Sequence, residues 1–154
     1  MFLENLLSLK FKMVRVNLIN PKKLSDQHLI AEYNEILMLG TYIKKYPGRK
    51  EIPKDYCLGK GHMKFFKDKI KYLEFRHKAL KREMKKRGIQ TNKSLSFNNC
   101  KNINKQNKKQ WKPNKKDFEI IKKRIIEKLE LKPTFYRYCK EKKPKSFFLG
   151  LLKD

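Results

Sequence analysis

The first strong pattern of hydrophobic and polar residues predicts a helix from Ser25 to about Tyr46. Its apolar stripe consists of Leu29, Tyr33, Ile36 and Ile43. These positions are three, four or seven residues apart, so an α-helix brings them to one face. Ser25 can cap the helix N-terminus, Asp26 complements the helix dipole, and Pro47 with Gly48 stops the helix.

Two further helices are predicted by the same periodicity. One runs from about Gly61 to Arg87, with Gly88 as its stop, and the other from about Lys115 to Leu131. Their stripes are Phe66, Ile70, Leu73, Leu80 and Met84 in the first, and Phe118, Ile121, Ile125 and Leu129 in the second. The chain therefore contains three main predicted helices.

The segments between and after these helices lack a helical pattern. Residues 88–113 are rich in Asn, Lys, Gln and Ser, so we expect a long, partly mobile loop there. The last ten residues are expected to form a loose basic and apolar end. Because no segment alternates as a strand does, the predicted class is all-α: a compact single domain of three main helices with long loops.

The charge of the chain narrows its function. The 154 residues carry 41 Lys and Arg against 15 Asp and Glu, a formal net charge of +26. A compact body with this charge repels itself unless a polyanion neutralises it, so nucleic acid is the expected partner and an anionic membrane surface the alternative. No apolar run approaches the roughly 18 residues of a membrane span. Lys outnumbers Arg, which favours a grip on phosphates over the reading of bases.

The cysteines and histidines give little sign of structural or metal chemistry. Cys57, Cys100 and Cys139 are odd in number and widely spaced, so neither a disulfide framework nor a zinc site is expected. The three histidines also lie far apart, and we expect no metal and no cofactor. The opening residues lack the basic start and cleavage site of a secretory signal. We therefore expect an intracellular protein of the cytoplasm, nucleoid or nucleus.

Three other groups of polar residues are candidates for chemistry. His28, Glu32 and Glu35 share a face of the first helix outside the apolar stripe, where a solvated face and a catalytic acid both fit. An acid facing bound phosphates is costly unless it has a function, which favours catalysis somewhat. Residues 135–138 fit nucleic-acid contact or simply cap the core. The third candidate is the pair Arg124 and Lys128 on the last predicted helix, which forms either a basic ridge or an ordinary solvated face.

Three blocks of sequence, in order, carry a family resemblance. They are Arg15-Val-Asn17-Leu with Leu24-Ser-Asp-Gln-His-Leu-Ile-Ala-Glu-Tyr33 and Glu35, then Gly61-His-Met-Lys-Phe-Phe-Lys-Asp-Lys69 with Lys86-Arg-Gly88, then Lys132-Pro-Thr-Phe-Tyr-Arg-Tyr138. Together they resemble the phage-type pyrimidine-dimer DNA glycosylases, the ultraviolet-damage endonuclease V family. The resemblance implies one three-helix domain over residues 13–140, with 88–113 as an Asn/Lys-rich loop. Residues 141–154 are then a basic tail, and 1–12 an extension that we expect to be absent from the mature chain.

The resemblance also implies a mechanism without metal. In this family the α-amine of the mature N-terminus attacks the anomeric carbon, expels the base and forms an imine, and β-elimination then cuts the strand. An α-amine has an ordinary pKa of about 7.7–8.0 against about 10.4 for Lys, so more of it is a free nucleophile near neutrality. The matching residue is Val14, whose amine a start at Met13 exposes and a start at Met1 does not. Glu35 matches the catalytic carboxylate, which stabilises positive charge on the sugar and assists proton transfer.

The remaining site residues are also implied by the resemblance. The family positions that line the damaged-nucleotide site are matched by Arg15, Gln27 and His28. The positions that contact phosphate are matched by Arg124 and Lys128. The aromatic-basic pattern of the C-terminal block is kept by Phe135, Tyr136 and Arg137. We therefore expect a DNA repair glycosylase with abasic-site lyase activity. Its expected partner is duplex DNA carrying pyrimidine dimers or abasic sites, and it is expected to act as a monomer away from membranes.

Two positions depart from the family pattern. Asn34 and Met38 stand where the family commonly has Arg, immediately before the catalytic Glu and three residues after it. Lys elsewhere in the chain cannot reproduce a fixed bidentate grip on phosphate, so weaker dimer recognition or slower turnover follows. The alternative is a non-catalytic basic nucleic-acid-binding protein that retains the fold.

Overall fold

The computed structural model describes residues 15–153, and this part of the chain is mostly helical. In chain order its elements are α1 (Asp26–Lys45), α2 (Gly61–Phe65), α3 (Ile70–Lys86), α4 (Lys115–Leu131), β1 (Arg137–Tyr138), β2 (Glu141–Lys142) and α5 (Lys145–Leu152). Short 3-10 turns lie at Pro21–Lys23 and Phe66–Asp68. None of the described helices is long and apolar enough to cross a bilayer.

Helix α1 begins and ends where its sequence pattern predicts. The hydroxyl of Ser25 accepts a hydrogen bond from the backbone N–H of His28, which satisfies one of the unpaired donors of the first turn. The predicted apolar stripe is buried at Leu29, Tyr33, Ile36 and Ile43. Helix α1 packs against α3 through this stripe.

The second predicted helix is not continuous, which corrects the prediction of one helix from Gly61 to Arg87. The chain leaves the helical conformation at Lys69, between α2 with its 3-10 turn and α3. Asn107 lies at this break, because its side-chain amide donates to the carbonyl of Lys67 and its own carbonyl accepts from the N–H of Ile70. These bonds replace intrahelical ones. Gly88, in the left-handed region, ends α3 as predicted.

Residues 88–113 form no named helix or strand, but they contribute to the core. Phe97 and Asn107 are buried. The ring of Trp111 packs edge-on against Tyr72 and Phe65, at centroid distances of 4.9 and 5.1 Å. This segment therefore packs against the helices through its aromatic side chains.

The C-terminal end differs from the loose end that the sequence suggests. Helix α5 packs against α4 and buries Phe148 and Leu152. Before it, β1 and β2 form a short antiparallel pair in which Arg137 lies opposite Lys142. An eight-residue helix is too short to be stable by itself, so its stability comes from this packing.

Two buried arginines fix α1 in place. The guanidinium of Arg76 donates to both carboxylate oxygens of Glu32, at 2.6 and 2.9 Å, and to the carbonyl of Leu18. Arg87 bonds Asp26 at 3.0 Å and Glu83 at 3.0 Å. Glu32 is fully buried, so a solvated face is the wrong interpretation for this residue.

Candidate active site

A cavity of about 220 Å³ lies between α1, α4, the segment 15–17 and residues 135–136. Eight residues singled out from the sequence line it, namely Arg15, Gln27, His28, Glu35, Arg124, Lys128, Phe135 and Tyr136. They come from four separate parts of the chain, and the fold brings them around one opening. Their roles in binding and catalysis remain predictions.

Of the last two predicted site residues, one falls outside the described part of the chain and the other is exposed. Val14 is outside the described residues 15–153. The side chain of Arg137 is exposed beside the cavity rather than in it. Its backbone N–H donates to Oε1 of Gln27 at 2.9 Å, while Nε2 of Gln27 donates to the carbonyl of Phe135 at 2.8 Å. Gln27 therefore joins the C-terminal block to the start of α1.

Three lining residues were not expected from the sequence: Asn17, Ala31 and Ile125. Asn17 stands two residues after Arg15 in the first block of the family resemblance, which is the one signal that could have found it. Ala31 lies one turn before Glu35 on α1, so helical spacing from Glu35 would have placed it on the same face.

The segment that enters the cavity is held by hydrogen bonds from three elements. The backbone N–H of Arg15 donates to Oε2 of Glu35 at 2.8 Å. The N–H of Val16 donates to Nε2 of His62 at 2.9 Å, and the hydroxyl of Tyr56 donates to the carbonyl of Val16 at 2.8 Å. Three backbone groups of this short stretch are thereby fixed by side chains of distant residues.

His62 serves this segment as a neutral acceptor. Because the N–H of Val16 is a donor, Nε2 of His62 must be unprotonated, and Nδ1–H donates to the carbonyl of Cys57 at 2.8 Å. Burial, with a further contribution from Arg15 and Arg124, lowers the pKa of His62 to about 4. The imidazole therefore stays neutral at physiological pH, and its Nε2 remains an acceptor for the Val16 N–H.

Glu35 has the most strongly altered acidity in the cavity. Burial raises the pKa of its carboxyl group to about 8, and the charge of Glu32 adds to this. The hydrogen bond from Arg15 and the charges of Arg15 and Arg124 act in the opposite direction and are outweighed. A carboxyl group with this pKa can both take up and release a proton near neutral pH.

His28 forms an uncharged platform in the wall of the cavity. Its ring stacks on Tyr136 at a centroid distance of 4.8 Å with 14° between the planes. Burial, followed by the charges of Arg124 and Lys128, lowers the pKa of His28 to about 4. His28 is therefore neutral near pH 7, so the positive charge at this cavity comes from its Arg and Lys residues.

Cationic and aromatic groups surround the opening. Arg124 and Lys128 lie one turn apart on α4, across the cavity from α1. Arg15 is buried, and its pKa is lowered by burial and by the charge of Arg124. Phe135 is 49% exposed at the rim. The cavity thus combines positive charge, one carboxyl group with a raised pKa and an exposed aromatic ring, as expected of a site that binds an anionic, base-bearing polymer.

A comparison with known protein families identifies the family of the chain. Residues 13–97 match the family described as pyrimidine dimer DNA glycosylase. The matched region exceeds half of the 154 residues, and the chain belongs to this family. It is therefore a protein of the DNA repair glycosylases, and its substrate is DNA.

Proposed function

We propose that the protein excises ultraviolet-induced pyrimidine dimers from duplex DNA and then cuts the strand at the abasic site. In this proposal the α-amine of Val14 attacks the anomeric carbon as the bond to the base breaks. The sugar ring then opens at its C1′–O4′ bond, O4′ takes up a proton, and a protonated imine forms between C1′ and the amine. Loss of the neighbouring sugar proton then breaks the carbon–oxygen bond to the 3′ phosphate. The amine and Glu35 carry the chemistry, without a metal or cofactor.

The contact between Arg15 and Glu35 is the observation that supports the proposal most strongly. Val14 directly precedes Arg15, whose backbone N–H is bound to the Glu35 carboxyl group. Three covalent bonds separate the nitrogens of adjacent residues, so the amine of a chain that begins at Val14 is within a few ångströms of the Arg15 nitrogen, and in this proposal it faces the carboxyl group. The family match begins at residue 13, which agrees with a mature chain that starts at Val14.

The acidity of Glu35 suits this role. Its pKa of about 8 is close to the ordinary pKa of an α-amine, about 7.7–8.0. Because the two groups hold a proton with similar strength, transfer between them costs little free energy. Once ionised, the carboxylate can also stabilise the positive charge that develops on the sugar and the imine.

The rest of the cavity would bind the damaged strand. Arg15, Arg124 and Lys128 supply phosphate contacts, and Phe135 with the His28–Tyr136 stack supplies aromatic surface. A pyrimidine dimer already weakens pairing and stacking, which lowers the cost of taking a base out of the duplex. Gln27 holds the backbone of Phe135 and Arg137 beside this surface.

Borohydride trapping tests the proposal. We expect a chain that begins at Val14 to form a covalent adduct with a thymine-dimer duplex when borohydride reduces the imine. A chain that begins at Met1 should bind the same duplex but form no adduct. Intact binding without an adduct from either chain would contradict the proposal and favour a non-catalytic DNA-binding protein.

A further inference from the structure

A second concave surface lies at the other end of α1. This groove, which we call the α1 C-terminal groove, has a volume of about 1220 Å³ and is formed by residues 45–54, residues 64–69 and Lys109. Eight Lys and Arg residues line it against two acids, Glu51 and Asp68. No residue of the active-site cavity takes part in it.

The two acids of the groove are already paired. Glu51 contacts Lys64 at 3.6 Å, and Asp68 contacts Lys69 at 2.8 Å. Six cations therefore remain, and none of them forms an ion pair with a carboxylate of residues 15–153. A concave surface with this much uncompensated positive charge concentrates polyanions, because its walls focus the field.

Two of the lysine ammonium groups in this groove lie over aromatic rings. Nζ of Lys67 lies 5.1 Å from the ring centre of Tyr42, and Nζ of Lys45 lies 5.4 Å from that of Tyr46. These contacts hold two of the ammonium groups against the end of α1. Tyr46 is itself 51% exposed, so a ring borders the cationic surface.

The active-site cavity contacts the middle of α1 at Glu35, and the groove begins at the C-terminal end of this helix with Lys45 and Tyr46. Tyr46 is the residue that caps the C-terminus of α1. Eleven residues at a rise of 1.5 Å place Tyr46 about 16 Å along the helix axis from Glu35. That distance corresponds to about five base pairs of duplex DNA, at 3.4 Å each.

We infer that the α1 C-terminal groove binds the phosphate backbone of duplex DNA on one side of the damaged nucleotide, about five base pairs from it. The inference rests on the proposed function, because it takes Glu35 to mark the position of that nucleotide. A concave groove fits the convex backbone of a duplex, whereas a flat bilayer surface cannot enter it. The groove then extends the grip of the site without contacting a base, as expected of a Lys-rich surface.

Salt-dependent binding to trimmed duplexes tests this inference. The groove variant replaces Arg49, Lys50, Lys54 and Lys109, all exposed, with Gln. The matched control replaces four exposed cations of α3 and so removes the same charge: Lys71, Lys78, Arg82 and Lys85. Each protein is titrated with a duplex that carries a tetrahydrofuran analogue of an abasic site, which cannot form an imine or be cut. The duplex extends ten base pairs on both sides of the analogue, or is trimmed to three base pairs on one side or the other.

The groove variant should bind the long duplex about tenfold or more weakly, and its slope of log affinity against log salt should fall by about 2–3. Trimming one side of the duplex should abolish the difference in affinity between the groove variant and the unmodified chain. Trimming the other side should leave that difference unchanged. An equal loss in the control, an equal effect of trimming either side, or loss of binding only to phosphatidylserine vesicles would overturn the inference. Binding is measured without borohydride, so a failure of the amine chemistry does not affect this result.

Discussion

The backbone N–H of Arg15 donates a 2.8 Å hydrogen bond to the carboxyl group of Glu35, twenty residues further along the chain. His62 and Tyr56 hold the next residue, Val16, from the opposite side. The backbone of the segment that follows Val14 is therefore held by Glu35 on one side and by His62 and Tyr56 on the other. In the proposed mechanism this preorganisation would position an N-terminal amine at Val14.

The first prediction concerns the role of Glu35 in strand cutting. Glu35→Gln keeps the size of the side chain and an acceptor for the Arg15 N–H, but removes the group that exchanges a proton. We expect cutting of a thymine-dimer duplex to fall by about 10²–10⁴, while the dissociation constant changes little. Single-turnover cutting and equilibrium binding measure the two effects. Equal losses in both would contradict a catalytic role.

The second prediction concerns pH and stability. The pKa of Glu35 is raised from 4.5 to about 8 in the folded protein, so folding favours its protonated form. Its contribution to stability is fully present below pH 4.5, is lost as the pH rises towards 8, and stays lost above that. The free energy of unfolding of Glu35→Gln, relative to that of the unmodified chain, should therefore increase by roughly 3–5 kcal/mol between pH 4.5 and pH 9.

Urea denaturation of both proteins across this range checks that prediction. Comparing the two at each pH removes the contribution of the other carboxyl groups, which titrate in both. A difference in unfolding free energy that stays constant from pH 4.5 to 9 would show that burial does not raise the pKa of Glu35.

The third prediction separates positioning from folding. His62 and His77 are both buried histidines with lowered pKa values, but His62 accepts from Val16 while His77 contacts the carbonyl of Tyr33. Replacement of either with Ala should cost about 1–3 kcal/mol of stability. Only His62→Ala should also lower kcat, with little change in KM, because it frees the segment next to the amine. A similar fall in kcat for His77→Ala would refute the positioning role.

Local sequence predicted the parts of the fold that depend on local interactions. The cap at Ser25, the stop at Gly88 and the stripes of α1 and α4 follow from neighbours within one or two turns. The break at Lys69 was missed because it is made by Asn107, about forty residues away. The burial of Glu32 was missed for the same reason, since Arg76 lies forty-four residues from it.

Part of the candidate site was predicted from the sequence, but from the family resemblance rather than from local interactions. The family resemblance named eight residues that the fold gathers around one cavity. Helical spacing relates only those on the same helix and does not show that the separate segments meet. The pKa of Glu35 could not be foreseen, because it depends on burial by other segments. The α1 C-terminal groove also escaped notice, since its cations come from three stretches that look like ordinary solvated lysines.

The fourth prediction concerns the departures from the family pattern on α1. Asn34 and Met38 flank Glu35 in the sequence. Both side chains are exposed, that of Met38 to 46%. Met38→Arg should add one phosphate contact, which steepens the slope of log affinity against log salt by about 1 and tightens binding. Met38→Gln, which adds no charge, is the control. An unchanged slope for Met38→Arg would show that this position does not face DNA.

The most direct test of the account is to locate the trapped DNA on the protein. A chain beginning at Val14 is reacted with a thymine-dimer duplex in borohydride, digested, and its peptides are examined by mass spectrometry. The account predicts a sugar-phosphate adduct on the α-amine of the peptide that starts with Val14. An adduct on a lysine side chain, with the Val14 amine unmodified, would contradict it.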